Sequence, residues 1–131
     1  MGTVPLLSDA EASPEARAVF DDIRARRQTD YVNNFWRAMA HDPATLKAVW
    51  ERLQQVMAPG ALDPLVKEMI YIAVSTANGC EYCIHSHTAA ARAKGMTEAM
   101  RAELVAVIGM AAQTNALVTA MQVEVDDGFK V

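Results

Sequence analysis

DPLVKEMIYIAVSTANGCEYCIHSHTAAARAKG, residues 63–95, decides the fold. Asp63-Pro64 places a capping side chain before a proline at the first helical position. The residues that follow are good helix formers, and from Met69 onward they are apolar nearly all round. That pattern predicts a helix that is the central and most buried of the chain. Asn78-Gly79 suits a left-handed C-cap. A further helix then begins at or near Cys80 and runs to Lys94, with Gly95 as its stop.

The same punctuation recurs on both sides. Ser13-Pro14 opens a helix to about Arg27, with Ala18, Val19 and Ile23 at helical spacing. Asp30 is read as the cap of a second helix over YVNNFWRAMA, with Phe35, Trp36 and Met39 as core candidates. Asp42-Pro43 starts a third through Met57, whose inward face is Leu46, Val49, Trp50, Leu53 and Val56. Thr97 caps EAMRAELVAVIGMA, and a last helix is expected over about 114–125, with Gly109 and Gln113-Thr114-Asn115 between the two. No segment alternates with period two as a half-buried strand does. The expectation is one all-α domain over residues 1–131, a bundle of six to seven helices with Cys-x-x-Cys at a helix N-terminus.

Bulk properties narrow the function classes. The chain has 131 residues and a formal net charge of −4, with its Lys and Arg scattered, so the footprint of a nucleic-acid binder is absent. Its longest strongly apolar run, Met69–Val74, is too short to span a bilayer, which leads us to expect no membrane partner. The N-terminus lacks the pattern of a signal peptide, so a cytoplasmic location is expected.

Cys80 and Cys83 are the only two cysteines. Three residues apart on a helix, their Cα atoms lie roughly 5 Å from each other, inside the range of a disulfide. In the first turn of a helix, unpaired N–H groups and the positive end of the dipole would lower a thiol pKa. His87 is four residues beyond Cys83 and shares its face, so it can exchange a proton with that thiol. This reading makes Cys83 the attacking thiolate and Cys80 the resolving one, through a sulfenic acid that condenses to the disulfide. Glu68 shares a helix face with Leu65, Ile72 and Ser75; a carboxylate buried there must be paired or raised in pKa, and it is expected to face the Cys83/His87 pocket. Other readings stand beside this one. The cysteines could be an inert buried pair, or bind zinc with His87 and with Glu68 or His85, though no second Cys-x-x-Cys or His-x-x-x-His accompanies them. Glu68 could be a solvated glutamate beside Lys67. His85 is read as a surface or interface residue, His41 as a helix C-terminal one, Tyr82 as a packing or proton-handling residue, and the eight methionines as core filler and subunit interface.

The spacing E-x11-C-x2-C-x3-H, formed by Glu68, Cys80, Cys83 and His87 within NGCEYCIHSHTAAARAKG, resembles the signature of the alkylhydroperoxidase D-like branch of the carboxymuconolactone decarboxylase family. NNFWRAMAHDP and PGALDPLVKEMIYIAVS are similar to that branch too. The resemblance implies an all-helical fold that assembles as homotrimers or homohexamers. It implies a peroxidase in which Cys83 attacks a hydroperoxide, Cys80 resolves and meets the reductant, and Glu68 and His87 relay protons. The expected partners are a hydroperoxide substrate and a lipoyl-type or thioredoxin-like dithiol donor, with no metal, haem or flavin. One departure is Tyr82, where the best-known peroxidase members carry histidine. The rivals are a thiol–disulfide oxidoreductase with little peroxidase activity and a non-enzymatic redox-sensing or metal-binding subunit.

Overall fold

Side-chain caps set the helix starts. Ser13, Asp42, Asp63 and Thr97 each accept a backbone N–H from the first turn they precede, with donor–acceptor distances of 3.1, 3.2, 2.8 and 3.1 Å. Prolines 14, 43 and 64 follow three of them and need no partner for a missing N–H. The result, in a computed structural model that describes residues 2–131, is α1 (Pro14–Arg27), α2 (Asn34–Met39), α3 (Pro43–Met57), α4 (Pro64–Ala77), α5 (Glu81–Ala93) and α6 (Glu98–Met121), then a single 3-10 turn, Asp127–Phe129. The described residues form no strand. Contacts group the chain into two compact units, Met1–Ala58 and Pro59–Val131, described separately below.

The first unit packs α1 and α2 on α3 around Phe20, Ile23, Leu46, Trp36 and Trp50. Trp36 and Trp50 meet edge to face at 5.2 Å. The Trp50 indole N–H donates to Asp22 at 2.7 Å, and the Arg27 guanidinium lies 5.1 Å over the Trp50 ring. Several sequence expectations change here. Ala16 and Phe20, not Ala18, complete the buried stripe of α1. The second helix starts at Asn34 rather than near Asp30, because Val32 is drawn into the core ahead of the helix and Arg24 takes the Asp30 carbonyl. Phe35, Val49 and Val56 lie on the exposed side of their helices. The segment before α1 is tied down by Arg24, which grips both oxygens of Asp9 at 2.8 Å, and by Arg37 at 3.1 Å.

In the second unit α4 packs against α5 and α6. Its buried face is Glu68, Ile72 and Ser75, at i, i+4 and i+7, meeting Ala91 and Met96. The expectation that α4 is the most buried helix does not hold: Val66, Ile70 and Val74 are exposed, since α4 meets helices on one side only. The two expected C-terminal helices are one. Gly109 sits in open space, and the Thr114 hydroxyl satisfies itself on the carbonyls of Met110 and Ala111, so nothing breaks the 24-residue α6. No residue of α6 is buried, and by length and composition it is apolar enough to cross a membrane, with a mean hydropathy of 1.6. Its Leu104–Ala112 stretch is an uninterrupted apolar run longer than Met69–Val74, which corrects the expectation that the latter is the longest.

Truncating Phe20, which is fully buried, to alanine should cost about 3–5 kcal/mol, read by denaturant unfolding. Asp9 supplies a pH test. The Arg24 hydrogen bond, opposed by burial and helped by Arg37, lowers its carboxyl from an ordinary 3.8 to about 2. A depressed carboxyl stabilises the fold above its unfolded value and ceases to do so as pH falls toward the folded one. Asp9→Asn should therefore lower stability at neutral pH and flatten its decline between about pH 4 and 2.

Candidate active site

The turn between α4 and α5 builds the site. Gly79 adopts φ +69°, where a side chain is disfavoured, and the Cys80 N–H returns to the Ser75 carbonyl at 2.9 Å. The chain thus doubles back at once, and α5 lies along the buried face of α4. Cys80 becomes the N-cap of α5. Its sulfur accepts the Cys83 N–H at 3.3 Å, the role that hydroxyl or carboxylate oxygens play at the other capped helices.

Both thiols are free and half-buried. Burial pushes the Cys83 thiol up to about 11, helped by the hydrogen bond and charge of Cys80 and opposed by a hydrogen bond from Ser75. This corrects the expectation that the helix start lowers both thiols. The first-turn N–H points at Cys80, and a second negative charge one turn away is disfavoured. Cys83 therefore gives up its proton reluctantly.

Glu68, expected to face the Cys83/His87 pocket, makes a direct contact with His87. His87 Nδ1 lies 2.7 Å from Glu68 Oε2, and the Glu68 side chain is only 5 % exposed. Lys94 Nζ donates to the other oxygen, Oε1, at 2.8 Å. Burial raises the Glu68 carboxyl, but the hydrogen bonds of His87 and Lys94 and the positive charge of Lys94 outweigh it and hold the group below its ordinary range. An ionised carboxylate only accepts, so Nδ1 carries a proton to it and Nε2 is left as the basic nitrogen of the ring. Tyr71 stacks on the imidazole, centroids 3.6 Å apart and planes 20° from parallel. Burial and the nearby charges of Cys83, Cys80 and Glu68 raise the Tyr71 phenol, which places it within the field of every one of these groups.

Tyr71, Ser75 and Lys94 therefore join the four residues the sequence singles out. The signal was available. Tyr71 and Ser75 are three and seven residues beyond Glu68, and Lys94 is seven beyond His87 with the buried Ala91 between them. His85 is exposed, 4.0 Å from Glu81, as expected of a surface residue. His41 instead bonds the Pro5 carbonyl at 2.7 Å, in the turn after α2. Among the described residues no three His, Cys, Asp or Glu side chains converge to hold a metal ion.

Fold and site together define an all-helical dithiol protein whose Cys-x-x-Cys opens a helix beside a buried glutamate–histidine pair. A model of the carboxymuconolactone decarboxylase family matches residues 43–124. The chain is 34 % identical over 104 residues to alkyl hydroperoxide reductase AhpD of Azorhizobium caulinodans, covering 75 % of this chain and 56 % of that protein. It is 36 % identical over 72 residues to the protein of the same name from Solibacter usitatus, covering 55 % of this chain and 39 % of that one. The chain thus spans about half the length of these curated relatives. The crystal structure of an alkylhydroperoxidase AhpD core from Rhodospirillum rubrum superposes with a TM-score of 0.96 at 66 % identity, covering 100 % of this chain and 98 % of that one. This chain belongs to the carboxymuconolactone decarboxylase family, in its AhpD-like branch.

Alkylation order tests the electrostatics of the thiol pair. At about pH 7 iodoacetamide should modify Cys80 before Cys83, and reaction at Cys83 in a Cys80→Ser variant should quicken steadily as pH rises above about 8. Peptide mass mapping showing Cys83 modified first at neutral pH would contradict the ordering.

Proposed function

We propose that the chain is a thiol-dependent peroxidase that reduces hydrogen peroxide or small organic hydroperoxides through a Cys80/Cys83 dithiol–disulfide cycle. The observation that carries it is the ionised, buried Glu68 aimed at His87 Nδ1, next to two free thiols one helical turn apart. The names of the AhpD relatives and of the Rhodospirillum rubrum core point to the same chemistry.

In this reading the thiol proton of Cys83 passes toward His87 Nε2 as the sulfur attacks the terminal peroxide oxygen. The O–O bond breaks, the leaving alkoxide takes the proton and departs as alcohol, and Cys83 becomes a sulfenic acid. The Cys80 sulfur then displaces water from Cys83, forming the disulfide. A lipoyl-type or thioredoxin-like dithiol returns two electrons by exchange at Cys80 and is itself oxidised to a disulfide. The high thiol pKa of Cys83 makes the relay necessary, because little thiolate stands ready at neutral pH. No metal, haem or flavin takes part. A cytoplasmic location fits a dithiol cycle that depends on reducing partners. Exposed apolar side chains of α4 and α6, among them Ile70, Val74, Val107 and Leu117, support assembly as a homotrimer or homohexamer.

A second reading, a thiol–disulfide oxidoreductase with little peroxidase activity, draws on the same raised Cys83 thiol, which disfavours fast attack on peroxide. Steady-state hydroperoxide consumption with a panel of dithiols separates the two. The expected result is turnover that Cys83→Ser abolishes, with Cys80→Ser reacting once to leave a trappable sulfenic acid. Glu68→Gln should slow the attack step about 100-fold or more while the protein stays folded. Disulfide cycling with no peroxide consumed would favour the second reading, and full activity in Cys83→Ser would remove Cys83 as the attacking thiol.

A further inference from the structure

We infer that Lys94 is a positioning residue of the proton relay: its ammonium group balances the Glu68 carboxylate, which stays ionised without drawing a proton onto His87 and leaves Nε2 free to accept one. The inference rests on reading Glu68 and His87 as that relay.

The carboxylate of Glu68 has two oxygens and two partners. Oε2 meets His87 and Oε1 meets Lys94, at 2.7 and 2.8 Å. The carboxylate is nearly sealed from solvent, whereas the Lys94 side chain is 40 % exposed. Lys94 is the C-cap of α5, its backbone N–H bonded to Ala90 and Ala91 carbonyls, and its side chain runs from that exposed end to the buried group. A carboxylate so placed with His87 as its one partner would be left with an uncompensated charge out of water. The pair has two ways to remove it, and both take up a proton. The imidazole can become imidazolium. Alternatively the carboxyl can protonate and donate to Nδ1, which turns the ring over to its Nε2–H tautomer. Either outcome occupies Nε2.

Among the described residues, Lys94 and His87 are the groups that act on the Glu68 carboxylate. From α4, Tyr71 covers a face of the imidazole and contributes a neutral phenol, and Ser75 is committed to Cys83. From the start of α5 come the two thiols, which can only add negative charge. From α6 come the apolar side chains of Met100, Leu104 and Ile108, while Arg92 is paired with Glu98 at the surface, 3.2 Å away. Lys94 is thus the cation that balances the site.

The test is an NMR titration of the His87 imidazole nitrogens in the reduced protein, in wild type, Lys94→Met and Lys94→Arg. The nitrogen shifts report both the protonation state and the tautomer. Loss of one unit charge at this range, partly screened by solvent, should raise the midpoint for proton uptake by about one pH unit in Lys94→Met. Lys94→Arg, which keeps the charge, should stay within about a third of that shift. The acid limb of hydroperoxide consumption should move by the same amount, with activity lost on its acid side and recovered as pH rises. A Lys94→Met titration superposable on wild type overturns the inference. So does an arginine variant displaced as far as the methionine one, which would mean that packing and not charge is at stake. Should the wild-type protein consume no hydroperoxide, the reading of the reaction falls, and the titration by itself decides the role of Lys94.

Discussion

A charged carboxylate buried between two helices governs the second unit of this protein. Taking an ionised group out of water costs several kcal/mol, and it is tolerated only where hydrogen bonds and counter-charges replace the lost solvent. Glu68 finds both, in His87 at one oxygen and Lys94 at the other. The two partners stand seven residues apart on α5, so one carboxylate on α4 reaches along about two turns of its neighbour. This restricts the sliding of α5 along α4, and with it the placing of the cysteines at the head of α5. A pair of neutral side chains could fill the same volume, but it would specify the register less sharply and would leave His87 without a fixed tautomer.

The thiols follow from that register and from the turn before them. Gly79 permits a reversal that few side chains allow, and it brings the start of α5 against Ser75. Cys80 then does double duty as helix cap and reactive group. Capping gives its sulfur a backbone N–H, and the same hydrogen bond takes from Cys83 the helix-end stabilisation that a simple reading of the motif assigns to both. The pair is therefore asymmetric. One sulfur takes a backbone N–H at the helix terminus, while the other, half-buried, loses solvent beside the Ser75 hydroxyl and within the field of Tyr71. In the proposed cycle that asymmetry divides the labour between a sulfur that is slow to lose its proton and must be served by a base, and a sulfur nearer the chain reversal that exchanges with a donor.

The helices outside the site show how amphipathic patterns divide. In the first unit a Trp-rich core takes one stripe from each helix, and apolar residues just off that stripe, Phe35, Val49 and Val56, stay on the outside. Along α6 only Met100, Leu104 and Ile108 are partly buried and no apolar residue is fully so, although the helix is long and strongly apolar. A surface of that kind is uncommon on a chain that acts alone, and it is the physical ground for the proposed assembly.

The sequence alone determined that the chain is helical, because Ser-Pro, Asp-Pro, Thr and Asn-Gly are local instructions whose hydrogen bonds close within a single turn. It also singled out Glu68, Cys80, Cys83 and His87, because a helical period of 3.6 places residues three or four apart on one face. It misjudged Asp30 as a cap, Ala18 as core, the break near Gly109 and the burial of α4, each of which depends on what lies against the segment and not on the segment itself. The tertiary structure alone brought Lys94 and Tyr71 against Glu68 and His87, and set the directions in which the Glu68 carboxyl and the Cys83 thiol are shifted. Charge state is a sum over neighbours, and the neighbours of a buried group come from other helices, at sequence separations that no local pattern records.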